Sequence, residues 1–281
     1  MADPDKPGQS LDYLEALLDY LACPIDASPL TAIHDPDGQV EALRSQNGTY
    51  PVVNNVPCMI PELAGGADRS RALWQKHQEQ MWQDHLDGDE GVFSQDNEIT
   101  DYVGEIVAQA GEGLFLDVGC GALPYPGYMA APGSRLRWIG IDPFFGDAAR
   151  RFPFAQGQAE YLPFRAQVFD GALYASTIYH LKDPVRALER ARSVIRSGGR
   201  IYIWYEPCRI DRRYIVWKVR EALGWPASYS NYRWAFTRRS LGSMLERTGW
   251  MVEEDILLCA RCPEFSTCPE PTESLIVARR T

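Results

Sequence analysis

The chain has 281 residues, 45% of them hydrophobic, and a formal net charge of −10. That length and apolar content suit one large domain with a smaller one, each able to bury a core. The acidic balance argues against a generic nucleic-acid binder, because affinity for phosphate rests on Lys and Arg, and leaves room for a local basic patch.

The seven cysteines are scattered, and Met1 is followed by polar and acidic residues with no apolar signal core. No run approaches the roughly eighteen apolar residues of a membrane span. The expectation is a reduced, cytoplasmic protein with no membrane partner. A homo-oligomer is compatible with this composition.

Residues 1–9 read as a loose tail. Ser10 is placed to cap a helix whose apolar positions, Leu11, Leu14, Leu17, Leu18 and Leu21, recur at helical spacing. Cys23-Pro24 turns into a polar loop, and a late segment, Tyr50-Pro51-Val52-Val53, leads to Val56-Pro57. Gly65-Gly66-Ala67-Asp68 reads as a linker, which divides the chain into residues 1–66 and 67–281. Beyond it Trp74, His77, Met81 and His85 share one helix face. A packing stripe is the favoured reading, with a lid as the alternative. His77 and His85 lie two turns apart, so they are not an i, i+4 metal pair.

An amphipathic helix over 99–110 buries Ile99, Tyr102, Val103, Ile106 and Val107. Helix and strand then alternate, with strands near 114–118, 136–141, 154–157, 168–174 and 200–205. Thr237 caps a helix that runs through Arg247 and stops at Gly249. Strands over 250–258 and 274–279 close the chain. The alternation predicts an α/β fold, a Rossmann-like parallel sheet with helices on both faces.

The stretch Leu114-Phe115-Leu116-Asp117-Val118-Gly119-Cys120-Gly121 organises this domain. A strand buried on both faces ends in an acid and two glycines, a turn that admits a ligand close to the main chain. Such a turn at the carboxyl end of a parallel strand suits a nucleotide-type ligand. The next strand ends in Asp142, about twenty residues on, where a ribose-binding carboxylate is expected. Pro124 stands three residues after Gly121, so the dinucleotide fingerprint Gly-x-Gly-x-x-Gly fails.

The order of these motifs resembles the class I S-adenosylmethionine-dependent methyltransferases of the ubiquinone-biosynthesis-like group. The pieces are Asp117-Val118-Gly119-Cys120-Gly121, Gly140-Ile141-Asp142, Gly157 to Phe164, Phe169 to Tyr174, and Arg196-Ser197-Gly198-Gly199-Arg200. Leu123 departs from the pattern where the family often has a third glycine. The resemblance implies a seven-stranded sheet with its last strand antiparallel and S-adenosylmethionine as cofactor. It places the methionine carboxylate on N–H groups after Gly119 and Gly121, with Cys120 between them. The ammonium falls to Asp117 and to carbonyls near Tyr174 and Ala175. The ribose falls to Asp142, and the adenine sits between Pro143 or Phe144 and Gln158-Ala159-Glu160. His180, just past the fourth strand of that sheet, is a candidate base or a loop brace.

The first sixty residues resemble the short zinc-ribbon proteins that partner tRNA and translation-factor methyltransferases, in a degenerate form. The partner of Cys23 would be residue 26, which is Asp26, and no cysteine lies between Leu43 and Gly48. A structural zinc needs four Cys or His ligands, so no metal is expected there. Cys259, Cys262 and Cys268 form a C-x2-C-x5-C run, read as a Pro-rich loop with zinc as the alternative.

Residues 206–236 fill the place where this family builds substrate specificity. They hold Arg209, Arg212, Arg213, Lys218, Arg220 and Arg233 against Glu206, Asp211 and Glu221, a local +3 among seven aromatic residues. Aromatic faces take flat apolar surface, and Arg forks take carboxylate or phosphate. The expected acceptor is therefore a small molecule with an apolar or aromatic body and an anionic group. Tyr125, Tyr179, Arg209, Arg213, Tyr214 and Trp217 are its candidate contacts. A tRNA or rRNA acceptor and a non-catalytic cofactor-binding subunit are the alternatives.

Overall fold

A computed structural model describes residues 13–61, 98–144, 150–208, 215, 216, 219, 223, 234–258 and 272–281. The linker at 65–68, the stripe at 74–85, the thiol run at 259–268, and Arg209, Arg213, Tyr214 and Trp217 lie outside the described residues.

The larger sheet has seven strands. These are β5 (Glu112–Val118), β6 (Arg135–Asp142), β7 (Phe154–Gln156), β8 (Phe169–Ala175), β9 (Ile195–Tyr205), β10 (Trp250–Leu258) and β11 (Glu273–Arg280). Their spatial order is β10-β11-β9-β8-β5-β6-β7. The pairs from β9 to β7 are parallel, and β11 runs antiparallel to both β9 and β10. The α/β expectation holds, with strand boundaries close to those read from the sequence. β9 is the exception, since it begins at Ile195 and takes in the glycine pair Gly198-Gly199.

Strand periodicity explains why the sheet is buried on both sides. On one face Leu114, Leu116, Val118, Ile139, Ile141, Tyr174, Ile201 and Ile203 form a continuous core. Their alternate neighbours Phe115, Trp138, Leu173, Tyr202 and Trp204 form the second core. Helix α2 (Glu98–Ala108) closes the second face with Ile99, Val103 and Val107. Helices α3 (Pro184–Val194) and α4 (Arg238–Arg247) close the first with Leu188, Ala191, Leu241 and Leu245. Asp183 caps α3 by accepting from the Arg186 N–H at 3.1 Å.

The N-terminal part folds as helix α1 (Tyr13–Leu18) and an antiparallel sheet of β1 (Thr31–His34), β2 (Val40–Ser45), β3 (Gly48–Val53) and β4 (Val56–Pro57). Hydrogen bonds join the positions where a ribbon would carry metal ligands. Cys23 Sγ accepts from Ser45 Oγ at 3.3 Å and lies 3.5 Å from the Tyr50 hydroxyl. Asp26 accepts from the Ser28 N–H at 3.0 Å and from Gln46 Nε2 at 2.8 Å. Among the described residues no group of His, Cys, Asp or Glu is placed to hold a metal.

This part is joined to the large sheet through main-chain bonds. Cys58 pairs in parallel with Gln156, and the Met59 N–H donates to the Gln156 carbonyl at 2.7 Å. Leu21 pairs antiparallel with Phe164. Ala22 N–H donates to the Pro163 carbonyl, and Arg165 N–H donates to the Tyr20 carbonyl, each at 2.8 Å. No described helix is long and apolar enough to cross a membrane.

Thr237 and Ser240 form a reciprocal cap at the start of α4. Thr237 Oγ1 accepts from the Ser240 N–H at 3.1 Å, and Ser240 Oγ accepts from the Thr237 N–H at 2.9 Å. Thr237→Ala removes one of these bonds and leaves an N–H of the first turn without its acceptor. Urea denaturation should show a loss of about 1 kcal/mol.

Candidate functional site

Strand order reverses between β5 and β8, which places a crevice at their carboxyl ends. Residues 119–121 leave β5 there with Gly119 at φ +75° and Gly121 at φ +64°, backbone angles that favour glycine. A Cβ at Gly119 would lie 2.4 Å from Thr177 Oγ1, so a side chain is also excluded by the loop after β8.

The amides of this turn point toward β6. Gly119 N–H and Cys120 N–H both donate to the Ile141 carbonyl, at 2.8 and 3.3 Å. Gly121 N–H donates to Asp142 Oδ2 at 2.9 Å. The N–H after Gly119 is thus engaged by the protein itself. The end of the parallel neighbour supplies its acceptor, and the turn folds back over Asp142. The Cys120 side chain is buried and packs under Gly140, where a Cβ would come within 2.8 Å of its sulfur.

Asp117 is fully buried at the end of β5. Its Oδ2 accepts from the Tyr128 hydroxyl at 2.8 Å, and its Oδ1 has no partner among the described residues. Burial pushes its carboxyl up to about 7, with the Asp142 charge adding and the Tyr128 bond opposing. The Asp142 carboxylate is bonded at both oxygens, because Oδ1 accepts from the Phe144 N–H at 2.7 Å. Burial raises it, while the Phe144 and Gly121 bonds and Arg150 pull it back. Each of its oxygens retains a second lone pair for a hydroxyl.

Arg150 was not singled out by motif reasoning, because it sits in an irregular stretch without a fingerprint. Its Nη2 donates to the Gly121 carbonyl at 2.8 Å, and its guanidinium lies 3.6 Å from the centroid of the Phe154 ring. The sequence signal was an arginine placed shortly before an aromatic strand.

On the expected adenine side, Pro143 follows Asp142, and its carbonyl accepts from Gln156 Nε2 at 2.9 Å. Gln158 precedes a 3-10 turn, Ala159–Tyr161. Glu160 Oε1 accepts from the N–H groups of Lys182 and Asp183, at 2.7 and 3.0 Å. That oxygen braces the loop after β8. Tyr174 is fully buried, and its hydroxyl has no partner among the described residues. The Ala175 carbonyl accepts from Thr177 Oγ1 at 2.9 Å.

Of the substrate candidates, Tyr125 is half-buried, with its hydroxyl donating to the Met129 carbonyl at 3.0 Å. Tyr179 is buried, and its ring meets His180 edge-on at 4.7 Å between centroids. His180 N–H donates to the Thr177 carbonyl at 2.9 Å. The described ends of the 206–236 segment meet, since Cys208 N–H donates to the Phe236 carbonyl at 2.7 Å. Trp234 then reaches the His180 loop, giving N–H to the Tyr179 carbonyl at 3.0 Å and Nε1–H to the Leu181 carbonyl at 2.7 Å.

Comparison with known proteins agrees with this architecture. Residues 116–203 match the family model described as a methyltransferase domain. Residues 116–203 thus carry a methyltransferase domain. It is 29% identical over 167 residues to a tRNA U34 carboxymethyltransferase of Idiomarina loihiensis, covering 53% of this chain and 51% of that protein. The chain thus spans about half the length of the curated relative it matches. A Burkholderia thailandensis 1,6-didemethyltoxoflavin-N1-methyltransferase, solved with 1,6-didemethyltoxoflavin and S-adenosylhomocysteine, superposes with TM-score 0.54 at 15% identity, covering 86% of this chain and all of that one. A Thermotoga maritima S-adenosylmethionine-dependent methyltransferase superposes with TM-score 0.51 at 20% identity, over 75% of this chain and 99% of its own. These structural likenesses speak to the fold.

The crevice fits this cofactor on one observation above all, the unpartnered Asp117 oxygen. A carboxylate oxygen buried without a donor is costly, and a cationic group placed there satisfies it and stabilises its charge. In the free protein Asp117 is raised from its ordinary value of 3.8 to about 7. The folded state then holds a proton that the unfolded chain has lost, so stability falls as pH rises across that window. A cationic group set against that oxygen would reverse the balance and expel the proton. Titration calorimetry near pH 6.5 in buffers of different ionisation enthalpy should show proton release on binding, abolished by Asp117→Asn.

Proposed function

We propose that the protein transfers the methyl group of S-adenosylmethionine to a small-molecule acceptor with an apolar or aromatic body and an anionic group. The observation that carries this reading is the rooting of the 206–236 segment. It leaves and returns at Cys208 and Phe236, and Trp234 fastens it to the loop that holds Tyr179 and His180. An insertion rich in arginine and aromatic residues thereby begins and ends beside the carboxyl end of β8.

In this reading Asp117 holds the ammonium of the cofactor, Asp142 the ribose, and Pro143 and Gln158-Ala159 the adenine. Carbonyls at Tyr174 and Ala175 and the turn at Gly119-Cys120-Gly121 frame the methionine end. When bound, the cofactor supplies a methyl carbon already activated for displacement. The residues of this chain then have two tasks. They align the acceptor atom about 3–3.5 Å from that carbon, and they exclude water from the gap. Tyr125, Tyr179, Tyr214 and Trp217 position the acceptor body, with Arg209 and Arg213 on its anionic group. His180 takes the acceptor proton when the acceptor is a hydroxyl. Residues 1–66 form a metal-free, ribbon-like module, and residues 67–281 form the catalytic domain of the ubiquinone-biosynthesis-like type.

A second reading, transfer to tRNA, is favoured by the name of the Idiomarina relative. The net charge of −10 weighs against a long polyanion. Incubation with S-adenosylmethionine labelled at the methyl group separates the two. Label in low-molecular-mass products supports the small-molecule reading, and label confined to tRNA overturns it.

Calorimetry should find S-adenosylmethionine and S-adenosylhomocysteine bound at micromolar levels, with NAD not bound. Asp142→Ala removes the ribose acceptor and the acceptor of the Gly121 N–H, and should weaken binding by about 1–3 kcal/mol. NAD binding without S-adenosylmethionine binding would overturn the cofactor assignment.

His180→Ala should lower turnover on a hydroxyl acceptor by about 10²-fold with cofactor affinity nearly unchanged. An unaltered rate would assign His180 to bracing the loop.

A further inference from the structure

We propose that the N-terminal module is a built-in clamp on the adenosine side of the cofactor cleft, acting through Gln156 as a positioning residue. The proposal rests on the cofactor reading above. Gln156 is the last residue of β7, is buried, and lies in register with Asp142 of β6. Its carbonyl accepts from the Met59 N–H at 2.7 Å, and its Nε2 donates to the Pro143 carbonyl at 2.9 Å. One residue therefore joins the module to the segment directly after Asp142. Cys58 and Met59 extend the sheet at the rung where the ribose-binding carboxylate stands.

The opposite wall is held by the same module. The loop from Gly157 to Arg165 carries Gln158 and Ala159, and its far end is bonded to residues 20–22. Ala22 N–H donates to the Pro163 carbonyl at 2.8 Å, Leu21 pairs with Phe164, and Arg165 gives its N–H to Tyr20 at 2.8 Å and its Nε–H to Leu21 at 3.3 Å. Side chains reinforce these bonds. Leu17, Leu21 and Met59 share a core with Ile141, Ala159, Leu162 and Phe164. Thus the strand end and the loop that flank the adenine are both fastened to the module.

The energetic consequence follows from preorganisation. A loop held in its binding conformation before the ligand arrives loses little freedom on binding, whereas a released loop must be ordered by the ligand. Loosening the clamp should therefore weaken the adenosine part of the interaction and leave the Asp117 end, which the module does not hold, alone.

The test uses the full-length protein and two substitutions. Gln156→Met keeps the size and the main-chain bond to Met59 and removes only the donor to Pro143. Leu21→Ala loosens the contact with Phe164. Affinities for S-adenosylhomocysteine and for adenosine alone are measured by calorimetry and ligand-observed NMR, with circular dichroism reporting the fold. The expected result is a loss of about tenfold for both ligands, by the same factor, in each folded variant. Amide exchange across residues 157–165 should also quicken in Leu21→Ala without ligand. Folded variants that bind both ligands as the wild type does would overturn the clamp, and Gln156→Met decides the matter if Leu21→Ala fails to fold. A wild type that binds neither ligand would instead overturn the cofactor reading, and the clamp with it.

Discussion

The structure depends on how the end of β5 is tied to the end of β6. Two glycines at positive φ let the chain reverse, so that three successive amides meet the Ile141 carbonyl and the Asp142 carboxylate. That closure sets two carboxylates at the ends of adjacent strands, inside a sheet buried on both faces. Neither would stand so far from water without compensation. Asp142 has two main-chain donors and the nearby Arg150, whereas Asp117 has a single hydroxyl. The difference gives them different chemistry. Asp142 is held at both oxygens, and Asp117 keeps one oxygen without a partner among the described residues.

The second contributor is the loop after β8. Its Thr177 packs against Gly119, while Glu160 reaches over to cap the N–H groups of Lys182 and Asp183. Trp234 arrives on the same loop from the far side of the 206–236 insertion. The loop that carries His180 is thus held by three segments far apart in sequence.

Much of the fold was legible because the signals were strong. β5 and β6 are continuous apolar runs ending in an acid, α4 carries its cap at Thr237, and the alternation of strands and helices dictates the parallel order. The start of β9 was missed, because Arg196-Ser197-Gly198-Gly199 reads as a turn while the structure carries it into the strand. Asp117 and Asp142 were legible from their positions at strand ends. The direction of the turn amides was not, since nothing local in Gly-Cys-Gly reveals that they meet the end of β6. The bracing contacts of Glu160 were hidden for a related reason. Its place in a motif suggested a ligand contact, but its partners lie more than twenty residues away, at a separation no local pattern encodes. Arg150 and Gln156 belong to the same class of residue.

The sheet's two margins differ in a way that bears on self-association. Open strand edges invite a neighbouring chain to add a strand. At one margin β10 presents Glu253, Glu254 and Asp255 and breaks its ladder with a register shift between Val252 and Glu254. At the other margin β7 is only three residues long, and the main chain of Cys58 and Met59 already occupies its end. A kink interrupts the first margin, where Glu253 is paired with Arg200 and Arg279 and Asp255 with Arg238, and the chain's own leading segment blocks the second. Contact between two copies would therefore have to form through side-chain surfaces, and strand-to-strand polymerisation is disfavoured at both ends of the sheet.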